Sequence, residues 1–142
     1  MERYRILPHT ADGKFQAFGE TLEEAFANAA LATASLMWDW TKVERKVRFA
    51  VRVRGRDLEQ LLVKFLGEVI YLMETRRFLL AGVSGLRIEQ DDGSYRIEAT
   101  FHGDEISMRY EIFGDVKAVT YSEMRIEDGD CGVCTVQVVL DM

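Results

Sequence analysis

Between Asp57 and Arg77 the residues Leu58, Leu61, Leu62, Phe65, Leu66, Val69, Ile70 and Met73 recur at helical spacing. They form an apolar stripe too wide to be left in water. Asp57 stands where an N-cap belongs, and Gln60 where it completes a capping box. Arg76 and Arg77 fall where the negative end of the helix dipole favours cations. This is expected to be the best-buried helix, and its cover must be broad and apolar. A second helix opens at the box Thr21-Leu22-Glu23-Glu24, with Leu22, Ala25, Phe26, Ala29, Thr33, Leu36 and Met37 on one face. It fades near Trp38-Asp39-Trp40. Two tryptophans flanking an aspartate either make an exposed recognition patch or close a core at a helix end, and the core is preferred.

The cover comes from segments of period two. From 43 to 54, Val47, Phe49, Val51 and Val53 take one face, while Lys46, Arg48, Arg52 and Arg54 take the other, continued by Arg56. Such a basic face either meets phosphates or an acidic partner, or pairs across a sheet with carboxylates such as Glu89 or Glu98. Pairing is favoured, because the stripe carries no interleaved aromatics. Leu86, Ile88 and Gln90 lead into the tight-turn signal Asp91-Asp92-Gly93-Ser94, and Tyr95, Ile97, Ala99 and Phe101 return as the second arm of a hairpin. Gly103 to Gly114 reads as a loop with a short turn. Val116 to Tyr121 and Val133 to Leu140 then form a last pair of strands around Asp128-Gly129. The pattern predicts an α+β fold in one domain, 1–142. Its two layers are two main helices packed on one face of a mixed, mostly antiparallel sheet.

A chain of 142 residues, 48% hydrophobic and 30% charged, has the composition of a soluble globular domain. No apolar run approaches the roughly 20 residues that cross a bilayer. The N-terminus lacks the apolar stretch of a signal peptide, so a cytoplasmic protein is expected. A formal net charge of −6 opposes autonomous nucleic-acid binding but allows action beside RNA through a protein partner. Cys131 and Cys134 form one Cys-Gly-Val-Cys with no second cysteine pair, and two free thiols are expected.

Candidate chemistry begins at Pro8-His9-Thr10-Ala11-Asp12, where the chain's only proline ends a strand. His9, Thr10 and Asp12 then crowd a turn before the strand containing Phe15-Gln16-Ala17-Phe18. An Asx or Ser/Thr turn explains the cluster as well as a functional site does. Lys117 opens an apolar strand, and Asp141 ends another beside Met142. Carboxylate oxygens from Asp141 and Met142 meeting Asp12 would suit calcium or magnesium, although spacing alone does not bring Asp12 and Asp141 together.

These segments carry a resemblance. His9-Thr10-Ala11-Asp12, the helix start Thr21-Leu22-Glu23-Glu24-Ala25-Phe26, Leu61-Leu62-Val63-Lys64-Phe65-Leu66, Lys117-Ala118-Val119-Thr120-Tyr121 and a penultimate aspartate resemble the archease family in order and spacing. The resemblance spans residues 4 to 142. It implies an accessory protein, not an enzyme. Its partner would be the RNA ligase of tRNA splicing, which joins a 2′,3′-cyclic-phosphate or 3′-phosphate end to a 5′-hydroxyl. Archeases promote guanylylation of the ligase at an active-site histidine, allow multiple turnover and can broaden its nucleotide use. The implied activating cluster is Asp12, Lys117 and Asp141, with a calcium-type site at Asp12, Asp141 and Met142. Association with tRNA would be indirect, through the ligase, and no membrane is involved. The chain departs from the family pattern at Tyr110 and Ser122, where histidines are common, and at Gly13, where an apolar residue is usual. A stand-alone metal-dependent phosphohydrolase, or a general protein-binding or chaperone module, is the alternative.

Overall fold

The structure, a computed structural model, describes residues 1–8, 12–129 and 132–142. The expectations for His9, Thr10 and Cys131 lie outside the described residues. The elements run β1 (Tyr4–Leu7), β2 (Gly13–Gly19), α1 (Leu22–Ser35), β3 (Val47–Gly55), α2 (Leu58–Arg76), β4 (Phe78–Asp91), β5 (Ser94–Glu105), β6 (Ala118–Glu127) and β7 (Cys134–Asp141). Helix α2 buries the stripe read from the sequence, with Leu61, Leu62, Phe65, Leu66, Val69 and Ile70 inside. The Asp57 side chain accepts the Gln60 N–H at 2.7 Å, and Gln60 Oε1 accepts the Arg56 N–H at 2.8 Å. The helix ends as Arg77 turns into the left-handed region, φ 56°.

The strands divide into two sheets, ordered β1-β2-β7-β6 and β3-β5-β4, and among the described residues these strands pair antiparallel. The α+β class and the helices packed against antiparallel strands agree with expectation. The division into two sheets is a detail the alternation does not reveal. It also corrects the expectation for burial. Nine of the 14 residues of α1 are buried, against seven of 19 in α2. Helix α1 touches β2 and β7 of one sheet and β4 of the other. Its Ala25, Ala29, Ala30, Ala32 and Ala34 let backbones approach from several sides. At Gly19 an added Cβ would lie 2.4 Å from the Ala25 nitrogen, so only glycine lets β2 pass the helix this closely. Asn28 binds α1 to β2, donating to the Phe18 carbonyl at 2.7 Å.

Between the helices and the three-stranded sheet, Phe26, Phe65 and Phe101 stack in sequence, with ring centroids 6.5 and 5.5 Å apart. Trp38 is fully buried and its Nε1 donates to the Leu80 carbonyl at 2.9 Å. Trp40 donates to the Tyr4 hydroxyl at 2.9 Å. Both tryptophans therefore serve packing, as preferred. The turn Asp92-Gly93 has φ of 39° and 78°, the left-handed pair that a two-residue hairpin needs.

Residues 103 to 105 are strand rather than loop, because Phe78, Leu79 and Leu80 pair with Glu105, Asp104 and Gly103. The approach is so close that a Cβ at Gly103 would sit 1.9 Å from the Leu79 carbonyl oxygen. The loop proper follows Glu105 and is tied back by Tyr110. Its hydroxyl donates to Asp104 Oδ2 at 2.6 Å and accepts the Glu44 N–H at 3.2 Å. Arg109 pairs with the Glu44 carboxylate. The Tyr110 hydrogen bond holds the Asp104 carboxyl below its ordinary range and pushes the Tyr110 phenol up. Among the cysteines, Cys134 is a free, buried thiol donating to Asp128 Oδ1 at 3.1 Å. Burial, then that carboxylate, raises its pKa.

Three outcomes follow from this packing. Trp38→Phe strands the buried Leu80 carbonyl and should cost about 1–3 kcal/mol in chemical denaturation. Gly103→Ala forces β4 from β5 and should cost about 1–3 kcal/mol or more. Asp104, with its folded pKa depressed, stabilises the protein above its unfolded pKa and loses that contribution as pH falls through the folded value. Melting temperature should therefore fall on acidification below the ordinary carboxylate range, and Tyr110→Phe should make that fall smaller.

Candidate functional site

Strand β7 runs between β2 and β6, and the ends of these strands carry the candidate residues. Gly13 pairs with Leu140 across β2 and β7, so the register continued by one residue sets Asp12 opposite Asp141. On the other side Ala118 pairs with Asp141, and the Lys117 N–H donates to the Asp141 carbonyl at 2.8 Å. Residues 12, 117 and 141 are far apart in sequence, yet backbone pairing brings them to one end of one sheet. Phe15, Ala17, Val136, Val138 and Leu140 take the core face of these strands. Alternation then gives Asp12 and Asp141 the opposite face. Asp12 is partly buried, while Lys117 and Asp141 are exposed.

Met142 is placed by Gly13. A Cβ at Gly13 would lie 2.8 Å from Leu36 Cδ1 and 2.9 Å from Met142 Sδ, so the missing side chain is what lets Met142 lie back over β2. The glycine that departs from the family pattern thus has a packing role. Gly114 similarly abuts the end of the α1 segment, where a Cβ would meet the Leu36 carbonyl at 2.0 Å. Phe113 N–H donates to the Met37 carbonyl at 2.9 Å, so the loop before Lys117 is anchored at this end of the molecule.

A polar ladder on the outer face of the same sheet escaped the sequence reading. Lys14 Nζ lies 3.1 Å from Glu123 Oε1, Gln16 donates to Gln137 Oε1 at 3.0 Å, and Gln137 donates to the Glu123 carbonyl at 2.8 Å. Glu123 sits at a register break in β6 with φ 53°. Only the alternation of Lys14 and Gln16 with the buried Phe15 and Ala17 hinted at it. The ladder braces β2, β7 and β6 just behind the carboxylates. Among the described residues, Tyr110 and Ser122 bond away from the cluster. Tyr110 belongs to the loop network around Asp104, and the Ser122 N–H donates to Thr120 Oγ1 at 3.2 Å.

The donor set suits a hard cation in kind, because carboxylate and main-chain oxygens are what calcium takes. Among the described residues no three His, Cys, Asp or Glu side chains gather as a ligand set. Two carboxylates would need main-chain oxygens, such as those at Met142, and water to complete coordination. Among the described residues no helix is long and apolar enough to cross a membrane.

Known proteins match this chain over nearly its full length. The Archease protein family profile matches residues 4–142. Protein archease of Pyrobaculum neutrophilum is 42% identical over 142 residues, covering 98% of this chain and 95% of the relative. Protein archease of Pyrococcus furiosus is 37% identical, with 100% of both chains covered. The solution structure of Methanobacterium thermoautotrophicum protein 1598 superposes with a TM-score of 0.84 at 33% identity and full coverage of both chains. A family profile matched from Tyr4 to Met142, with relatives above 30% identity over 95% and 100% of their lengths, places this chain in the archease family.

Proposed function

We propose that this chain is an accessory protein of the RNA ligase that joins a 3′-phosphate or 2′,3′-cyclic-phosphate end to a 5′-hydroxyl in tRNA splicing. Membership of the archease family supports the accessory role in general terms. The finer reading is promotion of ligase guanylylation and multiple turnover, with broadened nucleotide use. The observation that carries it is the convergence of residues 12, 117 and 141 at one end of a braced sheet. A cluster on that edge can enter a partner's active site without a pocket of its own.

Guanylylation joins a ligase histidine nitrogen to the α-phosphorus of GTP as pyrophosphate leaves. Alignment and charge stabilisation dominate such transfers. In this reading Asp12 and Asp141 offer carboxylate oxygens to a divalent cation, with a main-chain oxygen at Met142. Lys117 offsets charge on a phosphate or between the two carboxylates. Calcium, when bound, would hold the carboxylates together and neutralise their repulsion. The protein acts in the cytoplasm, reaches tRNA chiefly through the ligase and performs no turnover alone.

The test is ligation of a 3′-phosphate and 5′-hydroxyl RNA pair by catalytic ligase with GTP, with and without this protein. Wild type should accelerate guanylylation and give multiple turnover. Asp12→Ala and Asp141→Ala should abolish the effect without lowering the melting temperature. Full stimulation by either variant would remove the cluster from the reading, and hydrolysis of phosphate esters by the pure protein would replace it with the phosphohydrolase. Calcium at about 100 times its dissociation constant should stabilise wild type by about 2.7 kcal/mol and leave Asp141→Ala unmoved. Equal stabilisation of both would move calcium elsewhere.

A further inference from the structure

The outer face of the β3-β5-β4 sheet is left without a protein layer. Three rows cross it in register: Arg48–His102–Gly82, Ala50–Thr100–Ser84 and Arg52–Glu98–Arg87. The middle row is short, so a trough of about 230 Å³ opens over Ala50 and Thr100 against the Arg52–Glu98–Arg87 wall. Arg48 lies four residues from Arg52 along β3, which puts the basic rows about 13 Å apart. The Arg45 guanidinium lies over Gly82, where a Cβ would be 2.5 Å from Nη2, and adds to the first row. Ser84 Oγ and His102 Nε2, 2.7 Å apart, join the middle row to the first.

The charge on this trough is one-sided. Arg52 and Arg87 line it with Glu98, the carboxylate that pairs with both, and Arg48 and Arg45 stand in the row on the other side of Ala50. Arg45 and Arg48 form no ion pair with any described residue. A chain of net charge −6 thus presents a local excess of cations on one sheet face. The Arg–Glu98 pairs do not close the site. Side chains of Arg52 and Arg87 are 80% and 65% exposed, and such surface pairs hold weakly enough for an incoming phosphate to displace them. The adjoining row is different, since Arg54 and Arg96 are matched by Asp91 and Glu89.

We propose that this trough binds the phosphodiester backbone of an RNA strand. Guanidinium forks match phosphate oxygens in pairs, and hydroxyl and imidazole groups between them can meet the ribose. An acidic protein surface is the less suitable occupant. Protein interfaces anchor on aromatic or large aliphatic side chains, and the three rows hold none. Contacts confined to phosphate and ribose carry no sequence information, so the binding is independent of base sequence. The choice of RNA over other polyanions rests on the ligase reading, but the site lies on the other sheet from Asp12 and Asp141 and is tested without ligase.

The experiment is fluorescence anisotropy of a labelled single-stranded oligo-uridylate titrated with the full chain at several salt concentrations. Wild type should bind with a dissociation constant of about 10⁻⁴ to 10⁻⁵ M at low salt. The logarithmic salt slope should be about −2, the value for three phosphate contacts to a single strand. Arg48→Glu should weaken binding about tenfold. Lys64→Glu, the same charge change on exposed α2, should weaken it less than twofold. Arg48→Gln serves if the reversal lowers the melting temperature, with about threefold loss expected. Absence of binding by wild type at low salt, or equal weakening by the two reversals, overturns the proposal. So does poly-glutamate competing as well as RNA, which would assign the face to an acidic protein. None of these failures alters ligase stimulation, and loss of stimulation in Asp12→Ala leaves this binding untouched.

Discussion

The pairing of β2 with β7 ties the two ends of the chain together at the centre of the four-stranded sheet. It joins residues more than a hundred positions apart, from Gly13 with Leu140 to Gly19 with Cys134. Five consecutive residues of β7, Val136 to Leu140, are buried, as only a central strand can be. That strand holds β2 on one edge and β6 on the other, and it supplies α1 with an apolar floor. A pairing this distant is costly in chain entropy, and the burial of Phe15, Ala17, Val136, Val138 and Leu140 offsets that cost. The cluster at the strand ends is a by-product of the same register. Slipping it by one residue would part Asp12 from Asp141 and turn the core face outward together.

The two sheets are used differently. The four-stranded sheet is sealed inside by α1 and braced outside by the Lys14–Glu123 and Gln16–Gln137 ladder, which suits it to hold a precise cluster at its end. The three-stranded sheet buries Ile97, Ala99 and Phe101 under α2 and leaves its other face to arginines and carboxylates. Its ion pairs are exposed and contribute little to stability. Their arrangement instead sets where charge accumulates on an acidic protein.

Much of this was legible from local pattern. The capping boxes at Thr21 and Asp57, the Asp92-Gly93 hairpin and the packing role of the tryptophans follow from residue type and spacing, and the structure contains them. Pairing of the basic strand with carboxylates was also readable, and Arg52 meets Glu98 as expected. Glu89 instead pairs with Arg96 and Arg87 on its own hairpin. The ranking of the helices by burial was not readable. Helix α1 is rich in alanine, whose small stripe looks modest in sequence, yet the small side chains are what admit strands from both sheets. Residues 103 to 105 looked like loop because glycine and carboxylates break the alternation. The glycine is there because the Leu79 carbonyl comes too close for any side chain.

Local pattern was enough for most of the elements, their caps, their apolar faces and, through the ordered motifs, the family. Those depend on periods of two and 3.6 residues and on side chains within a turn of one another. Tertiary structure alone decided which strand ends meet. Spacing along the chain says nothing of the distance between Asp12 and Asp141, because that distance is set by hydrogen bonds across β2 and β7. It also decided how the strands divide between two sheets, and that Met142 rests over Gly13. These are packing outcomes between distant segments, fixed only when every strand competes for the same two helices.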